Sequence, residues 1–186
     1  MSARRGRRPA SPGTPEGDDV AEMIRVDHAG EYGALRIYEG QLAVLEARGD
    51  RKTIPAIRRM AEQEARHLER FDHLVNERNV RPTALSPLWH VAGFALGAGT
   101  ALLGAKAAMA CTAAVEEVID EHYARQIGRL DGDSELKQAV SEFREDEIAH
   151  RDEALAHGAE EAPAYRLLSE TIKAGCRLAI RLSEKI

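Results

Sequence analysis

The sequence predicts an all-α fold: a four-helix bundle with an apolar crossover helix and a C-terminal amphipathic helix. Three observations carry that prediction. Charged residues make up 31% of the 186-residue chain and aromatics only 4%, and Leu, Ala, Glu and Arg are prominent, a composition typical of helical proteins. Apolar residues recur at alternating three- and four-residue steps along four stretches, the spacing of one helix face. The motif Glu-x-x-His occurs twice, at Glu64–His67 and Glu147–His150. Each copy follows an upstream carboxylate, Glu31 33 residues before Glu64 and Glu116 31 residues before Glu147.

Residues 1–17 are expected to be a disordered arm and 18–186 one bundle domain. The arm is polar and rich in Pro and Gly, with four arginines against one acid. It lacks the apolar run of a secretory signal and the amphipathic pattern of a transit peptide. It carries +3, which leaves −8 of the −5 net charge on the body and argues against a nucleic-acid-binding surface. Cys111 and Cys176 form no CxxC; they are expected to be small buried residues of a reducing compartment, not a disulfide framework.

The first helix seam runs Ile24, His28, Glu31, Leu35, Tyr38, Leu42, Leu45 and ends near Gly49-Asp50. The second runs Ile57, Met60, Glu64, His67, Phe71, Leu74 and stops before Pro82. The third runs Met109, Ala113, Glu116, Asp120, Tyr123, Ile127, Leu130 to Asp131-Gly132-Asp133. The fourth runs Leu136, Val140, Phe143, Glu147, His150, Ala154, His157, with Gly158 as its C-terminal stop. Between the second and third lies Leu85–Ala105, without a formal charge from Leu88 onward and with glycine at 93, 97, 99 and 104. Its 18 uncharged residues reach only the lower edge of a membrane-spanning length. It reads either as a buried crossover helix or, preferably, as a segment lying in a bilayer interface with Trp89 near the headgroups. The last helix, Ala164–Ile186, is amphipathic, with Lys173, Arg177, Arg181 and Lys185 on its polar face. It can cap the bundle or lie on an anionic membrane.

In all four bundle helices the carboxylates and imidazoles fall on the apolar seam. Burying ionised carboxylates is costly unless they are paired or bind metal, and neither motif helix has Arg or Lys in its seam. Residues three apart share a helix face, so each motif aims a carboxylate and an imidazole at one point. Four carboxylates and two imidazoles form the ligand set of a bundle-core two-metal site. Glu31 and Glu116 are expected as terminal ligands, Glu64 and Glu147 as bridges, and His67 and His150 as one ligand per metal. The oxygen-rich set favours iron or manganese over zinc or copper. A reduced iron pair meeting O₂ in a dry core can generate an oxidant. The seam selects Glu116 over Glu117, which points about 100° away. Asp146 is a candidate acceptor for an imidazole N–H behind the ligands, and His28 a candidate site-lining residue. His122 and Tyr123 lie past Glu116, where such residues are more often hydrogen-bonded core residues than reactants.

The residues that carry the metal reading also carry a resemblance. The stretch Arg25-Val26-Asp27-His28-Ala29-Gly30-Glu31-Tyr32-Gly33-Ala34, the runs Pro87-Leu88-Trp89 and Gly93 to Gly104, and Ala114-Val115-Glu116-Glu117 resemble the demethoxyubiquinone hydroxylases of ubiquinone biosynthesis. So do Ala162-Pro163-Ala164-Tyr165 and Ala174-Gly175-Cys176-Arg177; the likeness spans about residues 22–186. The resemblance implies a ferritin-like four-helix bundle and a di-iron monooxygenase that hydroxylates the ring of a polyprenylated demethoxyubiquinol. It implies the same six iron ligands, O₂ as co-substrate, NADH as reductant, and His122 and Tyr123 as catalytic positions on the route between substrate and metals. It also implies a peripheral place on the cytoplasmic face of a bacterial inner membrane or the matrix face of a mitochondrial one, with a lipid-binding partner protein in the mitochondrial members. The alternatives are a ferritin-like iron-binding ferroxidase, which leaves the apolar 85–105 segment unexplained, and a di-iron tRNA hydroxylase, which the acidic body disfavours.

Overall fold

The computed structural model describes residues 15–130 and 133–186. The described residues form α1 (Pro15–Arg48), α2 (Ile54–Glu77), α3 (Ser86–Leu103), α4 (Ala105–Ile127), α5 (Ser134–Ala156), a 3₁₀ turn (Ala159–Glu161) and α6 (Tyr165–Lys185). Most of the expected N-terminal arm, residues 1–14, lies outside the described residues; Pro15 to Gly17 already belong to α1. No strand occurs among the described residues.

The helix ends follow local chemistry. Asp50 Oδ1 accepts from the backbone N–H groups of Lys52 and Thr53 at 3.1 and 2.8 Å, turning the chain into α2. Asp133 caps α5 by accepting from Leu136 N at 3.1 Å, and Arg78 pairs with the same carboxylate. After α5, Gly158 takes a left-handed φ of 82°. Gly104, at φ 123°, divides the apolar crossover α3 from α4 in a conformation that side chains rarely adopt.

Helices α1, α2, α4 and α5 make the bundle. Its core includes two apolar plugs. One gathers Leu45, Ile57, Met60, Met109 and Ala154; the other gathers Ile24, Phe71, Leu74, Leu130, Leu136 and Val140. Along every bundle helix the seam carboxylates lie between the two.

The crossover α3 runs along α1 with the backbones almost touching. A Cβ on Gly97 would stand 1.9 Å from Ile37 O, and one on Gly40 would stand 2.2 Å from Phe94 O. Its outer face leaves Leu88, Val91, Leu102 and Leu103 more than half exposed. The crossover is therefore packed on one side and apolar on the other. On α6, two of the four basic residues face acids of α4: Lys173 pairs with Glu117 at 2.7 Å and Arg177 with Glu121 at 3.1 Å. Leu167 and Leu178 stand exposed on the same helix. Among the described residues, no helix is long and apolar enough to cross a membrane.

Candidate metal centre

Glu31 comes from α1, Glu64 and His67 from α2, Glu116 from α4, and Glu147 and His150 from α5. None is more than 3% exposed. Their donor atoms form two groups, each within 4.8 Å: Glu31, Glu64, His67 and Glu147, then Glu64, Glu116, Glu147 and His150. Glu64 and Glu147 are common to both. His67 Nδ1 lies 3.2 Å from Glu147 and 3.4 Å from Glu31, and His150 Nδ1 lies 3.1 Å from Glu64.

The electrostatics favour cations between these groups. Both oxygens of Glu64 and of Glu147, one of Glu31, one of Glu116, and Nδ1 of both histidines are buried without a hydrogen-bond partner. Native proteins rarely leave that many polar atoms unsatisfied. Burial, with Glu147, Glu31 and Glu116 around it, pushes Glu64 well above the usual carboxylate range. Burial and Glu147 do the same to Glu116, and burial raises Glu147. Burial alone would lower the His67 imidazole, but Glu147 and Glu31 raise it to about 10. His150 is depressed by burial. Clustered carboxylates that repel one another in a dry core, with imidazoles beside them, fit a pair of hard cations.

A second layer orients the clustered side chains. Tyr38 of α1 donates to Glu116 of α4 at 2.6 Å, while Tyr123 of α4 donates to Glu31 of α1. His67 Nε2 lies 3.0 Å from Asp146, so the residue expected behind an imidazole does stand there. Phe143 stacks on the His67 ring with centroids 4.0 Å apart. Gln63, which the seam reading missed, sits between Asp146 and His150. One signal could have found it: Gln63 precedes Glu64 as Asp146 precedes Glu147.

Other candidates lie elsewhere. His28 is not drawn into the cluster; it pairs with Asp72 of α2 at 2.9 Å. His122 joins Asp27 at 3.1 Å, and Gln126 donates to the same Asp27 oxygen at 2.8 Å. Burial raises the Asp27 carboxyl despite both partners. Glu117 is half-exposed on its bridge to Lys173. Cys111 is fully buried and Cys176 partly so, both as free thiols, and burial pushes each up to about 12.

Beside the centre an apolar cleft of about 350 Å³ opens between α1, α3, α4 and α6. Gly30, Gly33, Val115 and Ile119 line its inner side, and Leu96, Cys176 and Ile180 its outer side. Gly30 and Val115 directly precede the clustered carboxylates Glu31 and Glu116.

Residues 18–183 match the family described as Ubiquinone biosynthesis protein COQ7. The chain is 54% identical over 188 aligned residues to the 3-demethoxyubiquinol 3-hydroxylase of Rhodospirillum rubrum, covering 100% of this chain and 87% of that protein. It is 56% identical over 171 residues to the NADPH-dependent 3-demethoxyubiquinone 3-hydroxylase, mitochondrial, of Rattus norvegicus, covering 89% and 77%. It is 42% identical over 180 residues to the 5-demethoxyubiquinone hydroxylase, mitochondrial, of Saccharomyces cerevisiae, covering 88% and 77%. A match over nearly all the described residues, on a helical bundle whose core carries this carboxylate and imidazole cluster, places the chain in the ubiquinone biosynthesis protein COQ7 family.

Proposed function

We propose that this chain is a di-iron monooxygenase that hydroxylates the ring of a polyprenylated demethoxyubiquinol in ubiquinone biosynthesis. The observation that carries the reading is the pair of donor groups that share Glu64 and Glu147 beside an apolar cleft. Glu64 and Glu147, common to both groups, would be held between the two metals, Glu31 and Glu116 would each serve one, and so would His67 and His150. An iron pair held there supplies O₂ activation that no side chain can. One oxygen atom enters the ring and the other leaves as water, with two electrons and two protons. The electrons come from a reduced nicotinamide: NADH is the donor the resemblance implies, and the rat relative is named as NADPH-dependent.

The chain's own residues bind and orient. The cleft takes the isoprenoid substrate, and the head group enters where α1 presents Ala29, Gly30, Gly33 and Ala34. A Cβ on Gly33 would meet nothing within 4 Å, so that glycine leaves room in the cleft. The resemblance assigns Tyr123, bonded to Glu31, and His122, bonded to Asp27, to the route between substrate and metals, although neither lines the cleft itself. The lining helices α3 and α6 also bear the exposed leucines 88, 102, 103, 167 and 178. That supports a peripheral site on an inner or mitochondrial membrane, from which a nearly insoluble substrate enters. A lipid-binding partner, where one exists, would use the same face.

The test is a reconstitution with ferrous iron, short-chain demethoxyquinone, ¹⁸O₂ and NADH or NADPH in parallel. The expected product is heavier by one labelled oxygen. Label from water, or iron oxidation without a quinone product, would support the ferroxidase alternative instead.

A further inference from the structure

Behind the two imidazoles runs one continuous hydrogen-bonded chain whose direction is set at a single residue. His67 Nε2 lies 3.0 Å from Asp146 Oδ2, Gln63 Nε2 lies 3.1 Å from Asp146 Oδ1, and His150 Nε2 lies 3.2 Å from Gln63 Oε1. A carboxylate offers acceptors only. His67 must therefore present Nε2–H to Asp146, and Gln63 must present its amino group. With that group committed, Gln63 turns its carbonyl to His150, which must also carry a proton on Nε2. Both Nδ1 atoms are the inward ones, buried and without hydrogen-bond partners among the carboxylates. A ring can ligate through Nδ1 only when its remaining proton sits on Nε2.

We propose that Asp146, acting through Gln63, fixes which nitrogen serves as ligand in both His67 and His150, so that one carboxylate makes both metal positions competent. The wiring crosses the bundle. Gln63 of α2 holds the imidazole of α5, and Asp146 of α5 holds the imidazole of α2. Both are positioning residues that act through the ligands. The inference rests on the two-metal reading above.

Asp146→Asn tests it at constant shape. The new amide has one donor end and one acceptor end. If its oxygen faces His67, its amino group meets Gln63, which must turn and offer its own amino group to His150 Nε2. If its amino group faces His67, that ring's Nε2 must accept. Either way one imidazole is forced to carry its proton on Nδ1. Anaerobic equilibrium dialysis against ferrous iron should show two ions in the unaltered protein. In Asp146→Asn one of them should bind about 10–100-fold more weakly, the usual cost of losing an outer-shell partner, while the other stays.

Adding Gln63→Glu to Asp146→Asn reverses the chain. The new carboxylate accepts from both the Asn amide and His150, and the Asn oxygen accepts from His67. Both Nε2 protons return, and the second ion should bind again. Helicity of the chelated variants, followed by circular dichroism, should match the unaltered protein throughout. Two undiminished ions in Asp146→Asn, or no rescue in the double variant, would overturn the wiring and leave the metal centre standing. Failure of the unaltered protein to take up two ions would overturn the centre itself and the wiring with it.

Discussion

Glu31 and Glu116 are each held by a tyrosine from the opposite helix, and the choice between neighbouring glutamates follows from burial. Glu116 is 1% exposed and accepts from Tyr38, whereas Glu117 stands half in solvent on Lys173. Glu116→Ala should therefore abolish binding of one ferrous ion, while Glu117→Ala should leave both and shift stability by no more than about 1 kcal/mol, as a surface ion pair does. Iron dialysis and urea denaturation measure the two effects; a larger loss of iron from Glu117→Ala would contradict the register. Tyr38→Phe removes the donor from a buried Glu116 oxygen and should cost on the order of 1–3 kcal/mol in the same denaturation assay. Glu116 was legible in the sequence because a seam of apolar residues passes through it and misses Glu117. Gln63 was not, because an amide beside the seam has no periodicity of its own. Its role comes from Asp146, 83 residues away and on another helix.

Helices α1–α2 and α4–α5 are one unit used twice. An offset of 85 residues carries Asp27, Glu31, Tyr38 and Gln41 onto Thr112, Glu116, Tyr123 and Gln126. The second unit follows at 83, Gln63, Glu64 and His67 onto Asp146, Glu147 and His150. The hydrogen bonds cross between the copies: Gln41 donates to Thr112 and Gln126 to Asp27. Repeated carboxylates show in a sequence; reciprocal partners need the packing. The crossover α3 shows the same division. Its lack of charge allowed either a buried or an interfacial helix, and in the fold one face touches α1 while the other is bare. Gly97→Leu would drive a side chain into Ile37 O and should destabilise by about 1–3 kcal/mol or more, as overpacking does. Gly99→Ala meets nothing within 4 Å and should stabilise by about 0.5–1 kcal/mol, the helix cost of glycine. Urea midpoints of the two variants should move in opposite directions.

For the molecule as a whole, the apolar plugs on either side of the centre make its charge a global matter. Glu64 and Glu116, well above the usual carboxylate range, Glu147 above it, and His67 at about 10 all hold protons more tightly folded than unfolded. Each contributes stability that is fully present below its unfolded value and lost as pH rises through the folded one. Glu31 is held low because its neighbour His67 outweighs burial, and burial depresses His150. These two run the other way: their contributions are lost only as pH falls, Glu31's through its depressed carboxyl value and His150's below the ordinary histidine range. Between about pH 7 and about pH 8.5 the rising side alone operates. The chelated protein should therefore melt at a lower temperature at the upper pH. Metal changes the sign, because ligands must shed protons to bind and loading then becomes easier as pH rises. Anaerobic melts with and without ferrous iron should show a gap that widens with pH, and a weakly buffered solution should acidify as iron is added. A chelated protein that melts no lower at the upper pH, or loading without proton release, would mean that the carboxylates between the plugs are not the groups that hold these protons.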